Sequence, residues 1–305
     1  MKRLVCWIFA LACTLACAGP TRAGQVFGAW NYAIDAGGDG SGGPLFEDRG
    51  LATSVQGANF VIAISSGMPL GGTPEPGALN NSITQGDLFL NFSGHNLNSA
   101  SKFTDLKVFG IRFDSANDSL GNTLNQPNSA LGVYGNLSVA SLATQNLGYS
   151  SLQQYIDYGY GRTSNAMGDL KSTSGDVATY LGTGAMITSI TGGTQLGGIN
   201  LLDRTSLTAL GLDFGHFGAD PAGNNVYGLS FNRSVLGITS GSFMLHEFLE
   251  CINDGVALSG NFGIEIPITN ESVSTPEPST LGGAILAGLI GIGVSARKRS
   301  RLATV

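Results

Sequence analysis

The sequence predicts a mainly all-β protein: a β-sandwich or jelly-roll-like ectodomain with one or two short helices, plus a C-terminal short transmembrane sorting helix. Three observations predict it. Apolar and polar residues alternate in many short runs, 46 of the 305 residues are glycine, and only 12% are charged. Alternation with period two is the pattern of a strand with one buried face. Glycine, with Asn, Asp and Ser, supplies the turns between such strands. Disorder does not fit, because the apolar share stays at 42% and the net charge is only −6. Nucleic acid is excluded as a partner. Binding phosphate needs a basic face, and the part of the chain between its basic ends is more acidic than the whole.

Three segments are expected: a secretory signal peptide at 1–23, a β-rich ectodomain at 24–272 and a sorting tail at 273–305. Lys2 and Arg3 precede an apolar run from Leu4 to Ala18, and Thr21-Arg22-Ala23 places small residues at −3 and −1 of a cleavage site. Cleavage is expected between Ala23 and Gly24. The run falls short of the roughly 20 residues a membrane span needs. Strands are expected at 59–64, 87–92, 106–113, 132–139, 226–231, 242–251 and 255–259. A helix is expected over 152–158, capped by Ser150, with Gln153 completing a capping box and Gly159 stopping it. Leu152, Tyr155 and Ile156 then share one face. A second short helix is expected from near Asp203 to Gly211.

No catalytic, cofactor-binding or metal residue is assigned, and the chain is not expected to be an enzyme. Gly38-Asp39-Gly40-Ser41-Gly42-Gly43-Pro44 resembles the surroundings of a serine nucleophile. Its base would have to precede it, whereas His95, His216 and His246 all follow. It is read as a glycine-rich turn. Asp35, Asp39 and Glu47 give that loop a calcium flavour. EF-hand spacing fails, since Gly37 and Phe46 fall at ligand positions, which leaves only a looser surface calcium site. His246-Glu247-Phe248-Leu249-Glu250 starts like a zinc-protease helix but has Glu250 where the second histidine belongs. In a strand, His246 and Glu250 would share a face and Glu247 would point away. Asp213-Phe214-Gly215 has no companion kinase motif. Cys6, Cys13 and Cys17 belong to the signal, so Cys251 is left as a single buried, inert thiol. Glycosylation sequons occur at Asn80, Asn91, Asn117, Asn136, Asn232 and Asn270. Trp30, Tyr32, Tyr155, Tyr158 and Tyr160 could stack on sugars, with core packing as their default role.

The tail combines three parts. Pro276, Glu277 and Pro278 form a stiff, non-helical junction. Leu281 to Ala296 is uncharged and apolar but interrupted by glycine, and Arg297, Lys298, Arg299 and Arg301 follow it. The basic cluster would stay cytoplasmic while the short run barely spans the bilayer. This order resembles the PEP-CTERM sorting signal that exosortase proteases recognise. Pro74-Glu75-Pro76 repeats the tripeptide in the interior with neither apolar run nor basic cluster behind it.

The ectodomain carries spaced motifs beside that tail. They are 29–35 (AWNYAID), 39–43 (DGSGG), 86–92 (GDLFLNF), 197–203 (GGINLLD) and 249–258 (LECINDGVAL). In that order they are similar to a family of exosortase-dependent surface proteins, several of them cyanobacterial. The resemblance implies export, transient inner-membrane insertion and processing by an exosortase. It also implies a final place on the surface or in the extracellular matrix of a Gram-negative-type bacterium. It implies no catalytic residues. The expected function is structural or adhesive, with extracellular polysaccharide as a candidate partner. The alternative is a carbohydrate- or calcium-binding surface module. A third reading, a secreted hydrolase, has no nucleophile–base pair behind it.

Overall fold

Antiparallel meanders account for most of the chain in the computed structural model, which describes residues 24–121, 130–158, 166–171, 173–219, 221, 225–263 and 269–273. The first meander is β1 (Gln25–Gly28), β2 (Trp30–Ile34), β3 (Asp48–Gln56) and β4 (Asn59–Ser66). A two-stranded ribbon, β5 (Thr73–Pro74) and β6 (Ser82–Ile83), leads to the second. That one is β7 (Leu88–Asn91), β8 (Val108–Arg112), β9 (Gly132–Ala140) and β10 (Ser189–Gly197). The chain then returns to each sheet in turn. β11 (Asn200–Asp203) and β12 (Asn225–Asn232) extend the first sheet beyond β4, and β13 (Gly241–Phe248) and β14 (Gly255–Phe262) extend the second beyond β7. β15 (Thr269–Val273) completes the first sheet next to β1. The sheets have seven and six strands.

The all-β expectation holds, and the sheets pack as a sandwich. Leu51, Phe60, Ile62, Ile64, Leu229 and Phe231 of one sheet share a core with Leu88, Leu90, Ile111, Leu245 and Leu258 of the other. Burying each such side chain stabilises by roughly 1.5–3 kcal/mol. The winding differs from a jelly roll. β1 to β4 all stay in one sheet and β7 to β10 in the other, because tight turns such as Gly57 (φ 60°) join strands that are neighbours in space.

Both outer faces are covered as well. Trp30, Tyr32, Ala52, Val61 and Ala63 pack under Leu207 of a short helix, and Phe89, Tyr134, Ile190, Phe248 and Ala257 pack under Leu152 and Tyr155 of another. Three α-helices are described: α1 (Leu152–Tyr158), α2 (Ala178–Leu181) and α3 (Arg204–Ala209). Four-layer burial explains the low charge content, since few strand positions are left to face water.

Local expectations fare unevenly. Asp203 caps α3 by accepting from the Ser206 N–H at 2.8 Å. The cap of α1 is shifted by one residue from the expected Ser150 and Gln153. Ser151 Oγ accepts from the Gln154 N–H at 3.1 Å, and Gln154 Oε1 reaches back to the Ser150 N–H at 2.7 Å. Ser151 is therefore the cap, and Gln154 folds back one residue further, onto Ser150, so the two bonds do not close a reciprocal box. Gly159 lies outside the described residues. The strand expected at 242–251 ends at Phe248, because the chain turns sharply and Ile252 takes a positive φ of 58°.

Among the described residues no helix is long and apolar enough to cross a membrane. The predicted signal at 1–23, including Ala23, and the predicted sorting tail beyond Val273, which ends β15, lie outside the described residues: Pro276, Glu277, Pro278, the apolar helix, and Arg297, Lys298, Arg299 and Arg301. Gly24 is the first described residue.

Candidate functional site

The end of β2, the glycine-rich loop after it, the start of β3 and the turn from β13 to β14 bring together an acidic cluster. Asp35 follows β2, and Asp39 sits among the glycines. Glu47 and Asp48 enter β3, and Asp254 sits just before β14. All five are buried, as is Glu247 near the end of β13. Asp35, Asp39 and Asp254 each offer a carboxylate oxygen, and these oxygens lie within 4.8 Å of one another.

Backbone geometry builds this arrangement. Glu47 accepts from the N–H groups of Gly38 at 2.5 Å and Gly40 at 3.2 Å, folding the loop over its own carboxylate. A Cβ at position 40 would sit 2.7 Å from Glu47 Oε2 and 3.0 Å from Asp254 Oδ2, so only glycine lets the chain pass between them. Asp254 Oδ2 accepts from the Asp48 N–H at 2.7 Å, which ties the β13–β14 turn to β3. Tyr155 of α1 directs its hydroxyl at Asp254 Oδ1 from 3.4 Å. Gly168, with φ 58°, donates its N–H to Asp35 Oδ1 at 2.8 Å.

Asp35 Oδ2 has no hydrogen-bond partner although it is buried. Burial pushes the Asp35 carboxyl well above the usual carboxylate range, and the nearby Asp254 and Asp39 push it further. Asp254 is raised likewise, first by burial and then by Asp48, Asp39 and Glu47. Glu247 is raised well above its ordinary value, first by burial and then by the nearby Asp48. Like charges in a low-dielectric interior are costly, and protonation is one way to relieve them.

Two other buried acidic groups are built differently. Glu250 accepts from the N–H groups of Asp118 at 2.6 Å and Thr84 at 3.0 Å. Asp118 accepts from the side-chain amides of Asn80 at 2.5 Å and Asn146 at 2.9 Å. Burial, with Asp118 beside it, lifts Glu250 to about 8. Asp87 accepts from Ser119 Oγ, from Asn117 Nδ2 at 2.9 Å and from the Ile190 N–H at 2.7 Å. Arg112, fully buried, donates to Asn117 Oδ1 at 2.9 Å and so stands one residue away from Asp87.

Several sequence-level assignments change. The acids Asp35, Asp39 and Glu47 are a buried group and not a surface site, and Asp254 joins them from the far end of the described chain. In the sequence it stood out only as part of the 249–258 motif and its Asn-Asp-Gly turn signal. His246 and Glu250 do not share a strand face. His246 is sealed among Phe89, Phe103, Tyr180 and Phe248, and burial lowers its imidazole to about 3. Glu250 lies beyond the strand's end. Ser41 is buried, with its hydroxyl 3.1 Å from the Tyr149 hydroxyl. Cys251 is a buried free thiol, and burial raises it to about 12, so it is inert as expected.

Trp30, Tyr32 and Tyr155 are buried and offer no stacking surface, while Tyr158 is exposed and Tyr160 lies outside the described residues. Near the surface, half-buried Phe27 instead stacks on exposed His216, with ring centroids 3.7 Å apart. It borders a groove of about 510 Å³ lined by Phe27, Arg204, Asp213 and Phe214. Of the sequons, Asn91 and Asn117 are buried in the folded domain, whereas Asn136 and Asn232 are exposed and Asn80 is partly so. The side chain of Asn270 lies outside the described residues.

Comparisons with family models, with curated proteins and with solved structures find no match to this chain.

Proposed function

We propose that the chain is an exported, exosortase-processed, non-catalytic protein of the cell surface or extracellular matrix, and that the sandwich is its structural or adhesive module. The observation that carries this reading is the order Pro276-Glu277-Pro278, apolar run and basic cluster behind an all-β ectodomain. The sandwich is consistent with a display role. Both sheet faces are covered, and the groups a hydrolase would present at its surface (Ser41, His246 and Cys251) are buried.

The test is processing. In an exosortase-positive host, mass spectrometry of the mature protein is expected to find a chain starting at Gly24 and lacking Leu281 to Val305, outside the cytoplasmic membrane. Without the protease, the tailed form is expected to stay in that membrane. Replacing Pro276, Glu277 and Pro278 by alanine is expected to block processing, and the same change at Pro74, Glu75 and Pro76 to leave it intact. An intact tail on surface protein from such a host refutes the reading.

One observation favours a second reading, a carbohydrate-binding module. The Phe27–His216 stack beside the groove has the aromatic face and polar rim that sugar recognition uses. Binding of extracellular polysaccharide that is lost in Phe27→Ala supports it, and a glycan array with no signal removes it.

A further inference from the structure

We infer that Asp35, Asp39 and Asp254 form a calcium site that fastens the glycine-rich loop to the β13–β14 turn. The site is independent of where the chain is sorted, so its test does not depend on the reading above.

The geometry comes first. Calcium binds oxygen at about 2.3–2.6 Å, so two ligands on opposite sides of one ion stand up to roughly 5 Å apart. Three carboxylate oxygens within 4.8 Å of one another fit around a single ion of that size. The donor set is all oxygen, which selects a hard cation over zinc or copper. Burial then separates calcium from magnesium. Magnesium gives up its waters reluctantly and usually keeps several, and a pocket closed by Asp35, Asp39 and Asp254, none more than 7% exposed, has little room for them.

The second, independent observation is Asp35 itself. Its Oδ1 takes the Gly168 N–H, but Oδ2 is buried within the cluster without a partner. Buried polar atoms are almost always satisfied, and an exception asks for a ligand. The donors around the cluster hold its carboxylates in place. The Asp48 N–H and the Tyr155 hydroxyl hold Asp254, and the Gly38 and Gly40 N–H groups hold Glu47. Each anchor restrains a carboxylate, which is the task of a metal site's outer shell. One bound ion supplies two positive charges among several buried carboxylates.

The test uses the purified full chain, first stripped with chelator. Calorimetric melting is then compared in chelator, in about 1 mM calcium and in about 1 mM magnesium, the range in which extracellular calcium modules bind. Calcium is expected to raise Tm by at least about 5 °C, as mass action requires of a ligand bound only by the folded state. Magnesium is expected to do little. Asp35→Asn and Asp254→Asn are expected to lose the calcium shift, while the surface control Asp105→Asn keeps it. A second readout does not depend on stability. Terbium should show emission sensitised by Tyr155, displaced by calcium, and weakened at least tenfold in affinity by Asp254→Asn. No calcium shift and no displaceable terbium in the wild type overturns the site. Equal shifts with magnesium overturn the calcium assignment, and shifts that persist in both aspartate variants overturn the residues named.

Discussion

Asp87 and Asp35 are both buried beside a strand, yet their surroundings are opposite. Asp87 is met by a hydroxyl, a side-chain amide and a backbone N–H, with Arg112 behind the amide. Asp35 is met by one backbone N–H and otherwise by carboxylates. Both carboxyls are raised, chiefly by desolvation, so neither burial nor the direction of the shift tells them apart. What separates them is the number of donors per oxygen. A carboxylate that the protein itself satisfies is a structural clasp between strands. One that is left short among its own kind is a place for a cation.

The largest test of that difference is on the satisfied side. Arg112→Met should cost about 3–5 kcal/mol, because it leaves Asp87 buried without its positive charge. Urea unfolding reads this, and a loss below about 1 kcal/mol would mean that Arg112 is not the counter-charge.

The pH dependence comes next. Asp87 is raised from 3.8 to about 6 in the folded protein. A group with a raised folded pKa binds its proton more tightly when folded. Its contribution is therefore complete below pH 3.8 and is lost as pH rises through 6. Unfolding free energy in chelator should fall by roughly 2–3 kcal/mol over that window from Asp87 alone. Glu250, raised to about 8 with Asp118 as its titrating neighbour, continues the fall at higher pH. Asp87→Asn should be less stable overall, since its amide meets donors, but its profile should lack the segment between pH 4 and 6. An unchanged slope would remove Asp87 from the account.

Asp35→Asn should move the other way. The Asn oxygen can keep the Gly168 N–H while one of several crowded charges disappears. In chelator the variant should match or exceed the wild type by up to about 1 kcal/mol. A loss of more than about 2 kcal/mol would place Asp35 with the structural acids and erase the contrast.

The smallest effect is expected at the rim of the cluster. Tyr149→Phe removes the hydroxyl that faces Ser41 Oγ and should cost about 0.5–1.5 kcal/mol, the net worth of one hydrogen bond. A much larger loss would show that the glycine-rich loop depends on that clasp more than on its acids.

How much was legible beforehand varies by element. The alternation of Phe60, Ile62 and Ile64 and of Phe109, Ile111 and Phe113 marked strands that do face the common core. The turn at Ile252 was not visible, because an apolar residue with positive φ inside an apolar run looks like more strand. Cap placement at Ser150 or Ser151 was ambiguous for a similar reason, since consecutive serines and glutamines offer two equivalent boxes. The loop acids Asp35, Asp39 and Glu47 could be seen as a group. Their burial, and the arrival of Asp254, could not.

By itself the sequence determined the all-β class, the positions of seven of the fifteen strands and two of the three α-helices, and the inert thiol of Cys251. These follow from local periodicity, turn chemistry and residue counts. Only the tertiary structure decided which strands are neighbours, that both sheet faces are covered, and which acids meet. Asp35 and Asp254 are brought together by the packing of one sheet's loop on the other sheet's turn. That contact depends on burying the apolar faces of both sheets, and no local pattern records it.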